Sequence, residues 1–298
     1  MYFYKAFGIR IKSAIEVPQF LVDQSNDFDV SIEFGNVQEL LPEDKRYEHL
    51  SRGDEGEIIF YWEQIGWYLI KNGDQIIIDP IPNADQTLVL LPLLGVVMAV
   101  LLQQRGKLVL HASAVSINQQ AAIFVGWKGQ GKSTTAAMLY DRGHPMISDD
   151  VVLLEVEKDG NCSIIPGFPN FKLLPETVAG VLKDNPLLLA EIYPGAGKRF
   201  RTASDNFLAE PVPVKAIFSL ETGDEFEVER LDPQRAIAVM IANTYSARYG
   251  KHLLQNSEGK ENLLQCSKVV NRIPLYRLQR PKSFELLDQL ADVIKSHC

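Results

Sequence analysis

The stretch AIFVGWKGQGKSTTAAMLY, at residues 122–140, decides the fold class of this chain. The apolar run 121–125 has the character of a buried strand, and a helical pattern extends from Lys132 to about Arg142. Between them lies GWKGQGKS, residues 126–133, here called the glycine loop, which fits the pattern G-x-x-x-x-G-K-[ST] at every fixed position. Strand, loop and helix follow one another in the order that the pattern requires. The sequence therefore predicts a phosphate-binding loop in an α/β fold.

The glycine loop has a chemistry that its residue types explain. Glycines let backbone N–H groups turn toward a polyphosphate at a helix N-terminus, where the helix dipole favours anions. Lys132 is expected to reach the β- and γ-phosphates of ATP, and the Ser133 hydroxyl to bind Mg²⁺. Trp127 and Lys128 are either exposed variable positions or contacts to the nucleotide. The residues expected to bind ATP are Gly126, Trp127, Lys128, Gly129, Gln130, Gly131, Lys132, Ser133 and Thr134.

Two carboxylates and a histidine lie near the loop in the sequence. Asp149 and Asp150 follow a predicted strand at 146–148, at the carboxyl end where open α/β sheets place their ligands. Residue chemistry leaves three roles open for this pair: Mg²⁺ binding, acceptance of a hydroxyl proton, or a solvated turn. His111 ends the apolar run 108–110 and is either a neighbour of the site or a satisfied core histidine.

Composition restricts the class of protein. The 298 residues are 46% hydrophobic and 23% charged, which predicts a folded chain of two compact units or one large unit with an attachment. A net charge of −8 opposes non-specific binding to nucleic acid or an anionic membrane. Three widely spaced cysteines favour a reducing cytoplasm over a disulfide framework or a thiolate zinc site. The apolar run 88–102 is shorter than the roughly 20 residues of a spanning helix, which favours a buried helix.

The pattern along the chain changes at about residue 84. Residues 1–84 contain short alternating runs that predict a small β-rich N-terminal domain with an antiparallel sheet. Residues 85–298 are expected to form the catalytic domain, beginning with a helix that Asp85 caps and that ends at about Gln104. The segment 166–175, with three prolines, is expected to be irregular.

The spacing of the motifs resembles that of the catalytic domain of the HPr kinase/phosphorylase family. That family has a histidine 21 residues before the loop lysine, which is the separation of His111 and Lys132. It also has an Arg-Gly-His turn that leads to an Asp-Asp pair, as at residues 142–144 and 149–150. The close resemblance covers about 45 residues. It implies a P-loop kinase core that resembles phosphoenolpyruvate carboxykinase and transfers phosphate from ATP to a serine hydroxyl of a protein.

The resemblance implies roles at the matched positions alone. Lys132 and the glycine loop would bind ATP, Ser133 would bind Mg²⁺, and His111 would be an active-site residue. Asp150, at the second aspartate position, would be the proton acceptor. Asp149 would be its electrostatic or metal-binding companion.

This chain departs from the family in two respects. The Arg-Gly-Leu-Gly signature that accompanies phosphorolysis is absent from the sequence, so neither dephosphorylation nor HPr as substrate is carried over. The β-rich N-terminal region is also unlike the regulatory domain of authentic HPr kinases. The chain is more similar to divergent HPr-kinase-like enzymes found beside peptide-modification genes, including kinases that phosphorylate a serine on a lasso-peptide precursor.

Four further residues are weaker candidates for the site. Glu176 falls about where the family supplies another metal carboxylate, and an exposed glutamate at a helix start is an equal interpretation. The segment PGAGKRFR, residues 194–201, is cationic and glycine-rich. Its Lys198 and Arg199, together with Arg248, are candidates to grip the transferred phosphoryl group or an acidic peptide. A solvated surface loop is the alternative for this segment.

The sequence thus predicts a cytoplasmic kinase that requires ATP and Mg²⁺ and acts on a serine of a peptide or protein. No nucleic-acid or membrane partner is expected, and a homo-oligomer is compatible with the sequence. Two alternatives stay open: a kinase of a small-molecule hydroxyl, and a nucleotide-binding scaffold without transfer activity. The complete glycine loop together with the aspartate pair argues against the scaffold, because a scaffold needs no base.

Overall fold

The computed structural model describes residues 1–53, 56–248 and 257–298. They form a mixed α/β protein with one eight-stranded sheet, one seven-stranded sheet and a separate two-stranded sheet. The eight-stranded sheet is built from the N-terminal part of the chain, and the other two are built from the remainder. The glycine loop follows one strand of the seven-stranded sheet, and the aspartate pair lies on another.

The N-terminal sheet is mixed, and the expectation that it is antiparallel was wrong. Its strand order is β3-β1-β2-β4-β8-β7-β6-β5, and β4 runs parallel to both β2 and β8. Parallel neighbours need a long connection that returns the chain to the same end of the sheet, whereas antiparallel neighbours need only a short turn. Residues 14–29 connect β2 to β4, and residues 35–74 connect β4 to β8. The strands are β1 Tyr2–Ala6, β2 Ile9–Ser13, β3 Leu21–Val22, β4 Val30–Phe34, β5 Leu50–Arg52, β6 Ile58–Trp62, β7 Gly66–Lys71 and β8 Gln75–Pro80.

The seven-stranded sheet closes on itself. Its order is β10-β9-β11-β12-β15-β17-β16, and a further pairing of β10 with β15 closes a ring of five strands. Strands β10, β15 and β17 are parallel, so their carboxyl ends meet at one edge. The strands are β9 Leu108–Ile117, β10 Gln120–Val125, β11 Met146–Val156, β12 Cys162–Ile165, β15 Val212–Thr222, β16 Glu227–Arg230 and β17 Leu275–Arg280.

A two-stranded sheet lies where an irregular segment was expected. Strands β13 Asn170–Leu173 and β14 Arg199–Thr202 pair antiparallel, so the expectation for residues 166–175 was wrong over 170–173. The prolines that suggested irregular structure flank β13 instead of interrupting it. Proline is tolerated beside a strand because no ladder hydrogen bond is lost there.

The helices include the expected one at the start of the second region. Asp85 caps it by accepting a hydrogen bond from the Thr87 backbone N–H at 2.7 Å, which confirms the predicted cap. A π-helical segment, Leu93–Val97, divides it into two α-helices. The α-helices are α1 Gln86–Pro92, α2 Met98–Gln104, α3 Lys132–Asp141, α4 Pro175–Gly180, α5 Pro233–Ala242, α6 Tyr245–Arg248, α7 Ser257–Arg272 and α8 Leu287–Lys295.

The stretch 86–104 is a core helix, as the sequence predicts. Among the described residues it alone is long and apolar enough to cross a membrane, and 78% of its apolar window is buried inside the protein. Leu93 and Leu101 are fully buried and belong to one apolar cluster with residues of the N-terminal sheet and of β9 and β11. The domain boundary at residues 84 and 85 stays a prediction, and this apolar core is continuous across it.

Removing one buried leucine from α2 tests the importance of this shared core. Leu101→Ala should lower the free energy of unfolding by about 3 kcal/mol, since it removes apolar contacts and leaves a cavity. Urea denaturation at neutral pH measures the change. The matched control is Leu187→Ala, whose side chain is 84% exposed and whose loss should cost less than about 0.5 kcal/mol. Equal effects of the two substitutions would contradict the described packing of α2.

Candidate active site

The glycine loop follows the carboxyl end of β10, and two of its glycines have conformations that other residues tolerate poorly. Gly126 has a φ of +139°, and a Cβ at this position would lie 2.8 Å from the backbone oxygen of Leu220. Gly131 has a φ of +79° and directly precedes α3. No side chain caps the N-terminus of α3, so the N–H groups of its first turn remain for a ligand.

Lys132 lies inside the glycine loop with its ammonium group largely removed from solvent. Its side chain is buried, and Nζ donates a hydrogen bond to the Gly126 backbone oxygen at 2.8 Å. Burial lowers the pKa of Lys132, the negative charges of Asp149 and Asp150 act in the opposite direction, and nearby positive side chains lower it further. An ammonium group has three donors, so Lys132 retains donors for phosphate oxygens.

The other loop residues differ in exposure. The Trp127 side chain is 79% exposed, and Lys128 and Gly129 are also exposed. Thr134 contributes its side chain to a hydrogen bond with the Thr177 hydroxyl at 3.1 Å, while its backbone N–H lies in the first turn of α3. The tip of the glycine loop is therefore accessible to solvent.

Asp150 occupies the centre of a charged cluster on β11. Its Oδ1 lies 3.0 Å from His111 Nδ1, and its Oδ2 lies 2.8 Å from Lys172 Nζ. Burial by itself would raise the pKa of Asp150, but the Lys172 ammonium and the His111 ring hold that pKa well below its ordinary value. The carboxyl group is therefore charged at neutral pH. Asp150 also has a φ of +71°, a left-handed conformation that is uncommon for residues other than glycine.

Lys172 is the partner of Asp150 in this cluster, and the sequence did not predict it. It lies on β13 between buried Phe171 and Leu173, and its Nζ also approaches the Leu94 backbone oxygen at 3.4 Å. That oxygen belongs to the segment Leu93–Val97, where the helix is kinked at Gly95. A lysine within an apolar run was a signal in the sequence, because a buried lysine needs a partner.

Asp149 is fixed by two hydrogen bonds and is less exposed than Asp150. Its Oδ1 accepts a hydrogen bond from the Ser113 hydroxyl at 2.6 Å, and its Oδ2 accepts one from the Lys172 backbone N–H at 3.1 Å. Asp149 is 3% exposed, whereas the side chain of Asp150 is 23% exposed. Asp150 is thus the more accessible carboxylate of the pair.

Asn243 and Tyr245, at the end of α5 and the start of α6, also belong to the site and were missed. The Asn243 side-chain oxygen accepts a hydrogen bond from the Gly126 backbone N–H at 2.9 Å, and its backbone oxygen accepts one from the His111 N–H at 2.8 Å. The Tyr245 hydroxyl donates to the Asp150 backbone oxygen at 3.2 Å. No signal marked Asn243, because an asparagine at a helix end is ordinary.

The candidates for phosphate or substrate binding have different surroundings. The positive charges of Lys198 and Arg248 both lower the pKa of Lys132, more weakly than burial does. The Arg248 guanidinium also lies 5.9 Å from the centre of the Tyr245 ring. Arg199 is engaged elsewhere, since its Nη1 lies 2.7 Å from Glu191 Oε1. Of the three, Lys198 and Arg248 are therefore the ones positioned to act near the loop.

The residues fit Mg²⁺ only together with a nucleotide. The described part of the chain contains no group of three or more His, Cys, Asp or Glu side chains arranged to hold a metal ion. Mg²⁺ is commonly held by one or two carboxylates with phosphate oxygens and water, which Ser133 and Asp149 could complete. Glu176 is exposed in the first turn of α4, next to Thr177, whose hydroxyl is hydrogen-bonded to Thr134.

Comparisons with known proteins leave the family open. No protein-family model matches this chain, and no curated protein matches it. Among solved structures, the Hpr(Ser) kinase/phosphatase from Coxiella burnetii is similar to it, with 15% sequence identity over 63% of this chain and 89% of that chain, and a TM-score of 0.33. A likeness of this extent does not establish a shared fold, so the side chains of the site must support any assignment of function.

Replacing Lys172 by methionine tests the charged cluster. Lys172→Met should lower the free energy of unfolding at pH 7 by about 2–3 kcal/mol, because it leaves the Asp150 charge with weaker compensation in a mostly buried site. In a double-mutant cycle with Asp150→Asn, the two changes should be non-additive by about 1 kcal/mol or more. Urea denaturation of the four proteins measures this coupling.

The same variant should change the dependence of stability on pH. The pKa of Asp150 is depressed in the folded protein. The charged carboxyl group therefore stabilises the fold above the ordinary carboxyl pKa of about 4, and this stabilisation is lost as pH falls through the folded pKa. The decrease in the free energy of unfolding caused by Lys172→Met should accordingly become smaller as pH falls below about 4. The control is Lys107→Met, which removes an exposed ion pair with Glu155 and should cost less than about 1 kcal/mol. Additive effects of Lys172→Met and Asp150→Asn would contradict the cluster.

Proposed function

We propose that this protein is an ATP- and Mg²⁺-dependent kinase that transfers the γ-phosphate to a serine hydroxyl of a peptide or protein. The observation that carries the proposal is the pairing of two features. Lys132 presents a buried ammonium at an uncapped helix N-terminus, and a charged Asp150 acts on it electrostatically. Phosphate-binding positive charge and a proton-accepting carboxylate are the two parts that phosphoryl transfer requires.

The glycine loop binds the phosphates of ATP in this proposal. Backbone N–H groups of the loop and of the first turn of α3 donate to phosphate oxygens, and Lys132 neutralises charge on the β- and γ-phosphates. Asn243 holds the first residue of the loop in place through the Gly126 N–H. Mg²⁺, when bound, would supply charge neutralisation between these phosphates, with Ser133 and Asp149 as its protein ligands.

Asp150 accepts the proton of the attacking hydroxyl. Its low pKa makes it a weak base, but phosphoryl transfer depends chiefly on positioning and electrostatic stabilisation. His111 and Lys172 hold one carboxylate oxygen each, so the group cannot rotate away from an incoming hydroxyl. A fixed, charged carboxylate orients the hydroxyl toward the terminal phosphorus through a hydrogen bond.

A peptide or protein acceptor is favoured over a small molecule by the motif spacing that resembles HPr kinases and by the positive charges of Lys198 and Arg248 near Lys132. Those charges suit an acidic peptide or the transferred phosphoryl group. The cysteines of the described structure are free, which fits our proposal that the protein acts in a reducing cytoplasm.

Substitutions of two site residues separate nucleotide binding from transfer. Lys132→Ala should weaken ATP binding and abolish transfer, because it removes the charge that faces the phosphates. Asp150→Asn should lower turnover by at least about 100-fold while ATP still binds, since the glycine loop and Lys132 are retained. The substitution also removes the charge that pairs with Lys172, so circular dichroism is used to confirm that the variant is folded. Calorimetry with ATP and Mg²⁺ measures binding, and radiolabelled phosphate transfer measures turnover.

Asp141→Asn is the matched control for Asp150→Asn. Asp141 is exposed at the end of α3, and its substitution should leave both binding and turnover unchanged. Full turnover in Asp150→Asn would remove the proposed role from Asp150. Unchanged ATP affinity in Lys132→Ala would remove the glycine loop from the nucleotide site.

Mass spectrometry identifies the acceptor. Peptides that each contain one serine, with matched peptides in which alanine replaces it, are incubated with the protein, ATP and Mg²⁺. The proposal predicts a gain of one phosphate on serine peptides and none on the alanine controls. Label found only on small-molecule hydroxyls would indicate a small-molecule kinase, and ATP binding without transfer to either class would indicate a scaffold.

A further inference from the structure

Arg280 is a buried arginine at the edge of the sheet where the glycine loop lies. It is the last residue of β17, which runs parallel to β15, and β15 runs parallel to β10. This topology brings Arg280 to the same edge as the loop, although 150 residues separate it from Gln130. Its side chain is 7% exposed, and its Nη2 donates a hydrogen bond to the Gln130 backbone oxygen at 2.9 Å.

The positive charge of Arg280 has no acidic partner in the described part of the chain. No ion pair involves Arg280 there, and its buried Nε has no hydrogen-bond partner. Burial lowers the pKa of Arg280, with no opposing contribution from a carboxylate. The contrast is Arg277 on the same strand, which lies within ion-pair distance of Glu221, Glu227 and Glu229. An uncompensated buried charge is costly, and an anion at this place would offset the cost.

The guanidinium packs against the part of the loop that precedes α3. A Cβ at Gly131 would lie 2.4 Å from Arg280 Nη2, so glycine leaves the space that the guanidinium occupies. Gln130 is held on a second side, since the Thr222 hydroxyl donates to its side-chain oxygen at 2.8 Å. The positive charge of Arg280 is thus next to the uncapped N-terminus of α3.

We propose that Arg280 is a further anion-binding residue of the phosphate site, contributing its charge to the binding of a polyphosphate by the glycine loop. The identification of the anion as the nucleotide triphosphate rests on the proposed function. Guanidinium has five donors in a planar fork that suits phosphate oxygens, and two of them donate to the backbone oxygens of Gln130 and Pro281. The remaining donors of the guanidinium are those that a phosphate would use, and the unpartnered Nε–H shows that the protein alone does not satisfy the group.

The test measures binding of inorganic tripolyphosphate by calorimetry at several salt concentrations, so that it depends on neither the acceptor nor phosphate transfer. Arg280→Gln removes the charge and keeps a donor for the Gln130 oxygen. It should weaken binding at least about tenfold and reduce the dependence of affinity on salt. Arg280→Lys keeps the charge without the planar fork, and should weaken binding less and retain the salt dependence.

Arg277→Gln is the matched control. It removes a positive charge from the same strand, but this charge is already paired with Glu227 and Glu229. It should leave tripolyphosphate binding unchanged. Circular dichroism confirms that each variant is folded, and Arg280→Lys provides the comparison if Arg280→Gln does not fold.

Each outcome decides the proposal. The anion-binding role would be overturned if Arg280→Gln bound tripolyphosphate as tightly as the unsubstituted protein. It would also be overturned by weaker binding with an unchanged salt dependence, since that result would mean that Arg280 only holds the loop in its conformation. If Arg280→Gln does not fold, Arg280→Lys with a reduced salt dependence would overturn it. No tripolyphosphate binding by the unsubstituted protein would overturn both the phosphate loop and this inference. Tripolyphosphate binding that depends on Arg280, without transfer from ATP to any acceptor, would support Arg280 while contradicting the proposed kinase.

Discussion

Lys172 and Asp150 meet at 2.8 Å in the interior of the protein, and the arrangement of the site follows from keeping these two charges together. The pair requires β11 and β13 to lie side by side, and Lys172 also approaches the π-helical segment through the Leu94 oxygen. The Lys172 backbone N–H fixes Asp149 as well. One lysine therefore connects both carboxylates to the core helix, and a change that separates these elements would expose an uncompensated charge.

The sequence predicted those parts of the site whose determinants are consecutive or lie on adjacent strands. The glycine loop was predictable because strand, loop and helix follow one another within residues 121–142. The resemblance alone linked His111 to the aspartate pair, and the register of β9 and β11 places Ser113 opposite Asp149 and His111 opposite Val151, beside Asp150. Lys172 was hidden because flanking prolines obscured a four-residue strand.

Long-range contacts account for most of what the sequence did not predict. Asn243 reaches Gly126 across 117 residues, and Arg280 reaches Gln130 across 150 residues. Local patterns of charge and hydrophobicity contain no information about such pairings, which depend on the order of strands in the sheet. The closure of β10 on β15 and the parallel strands of the N-terminal sheet were unpredictable for the same reason. The overall charge of −8 likewise does not show where individual positive side chains lie.

A crystal structure of the protein with Mg²⁺ and a nonhydrolysable ATP analogue would show where the nucleotide binds. We expect a triphosphate wrapped by the backbone N–H groups of the glycine loop, with the Asp150 carboxylate facing the terminal phosphorus. A nucleotide bound elsewhere, or a triphosphate in the loop with Asp150 turned away from its terminal phosphorus, would contradict this expectation.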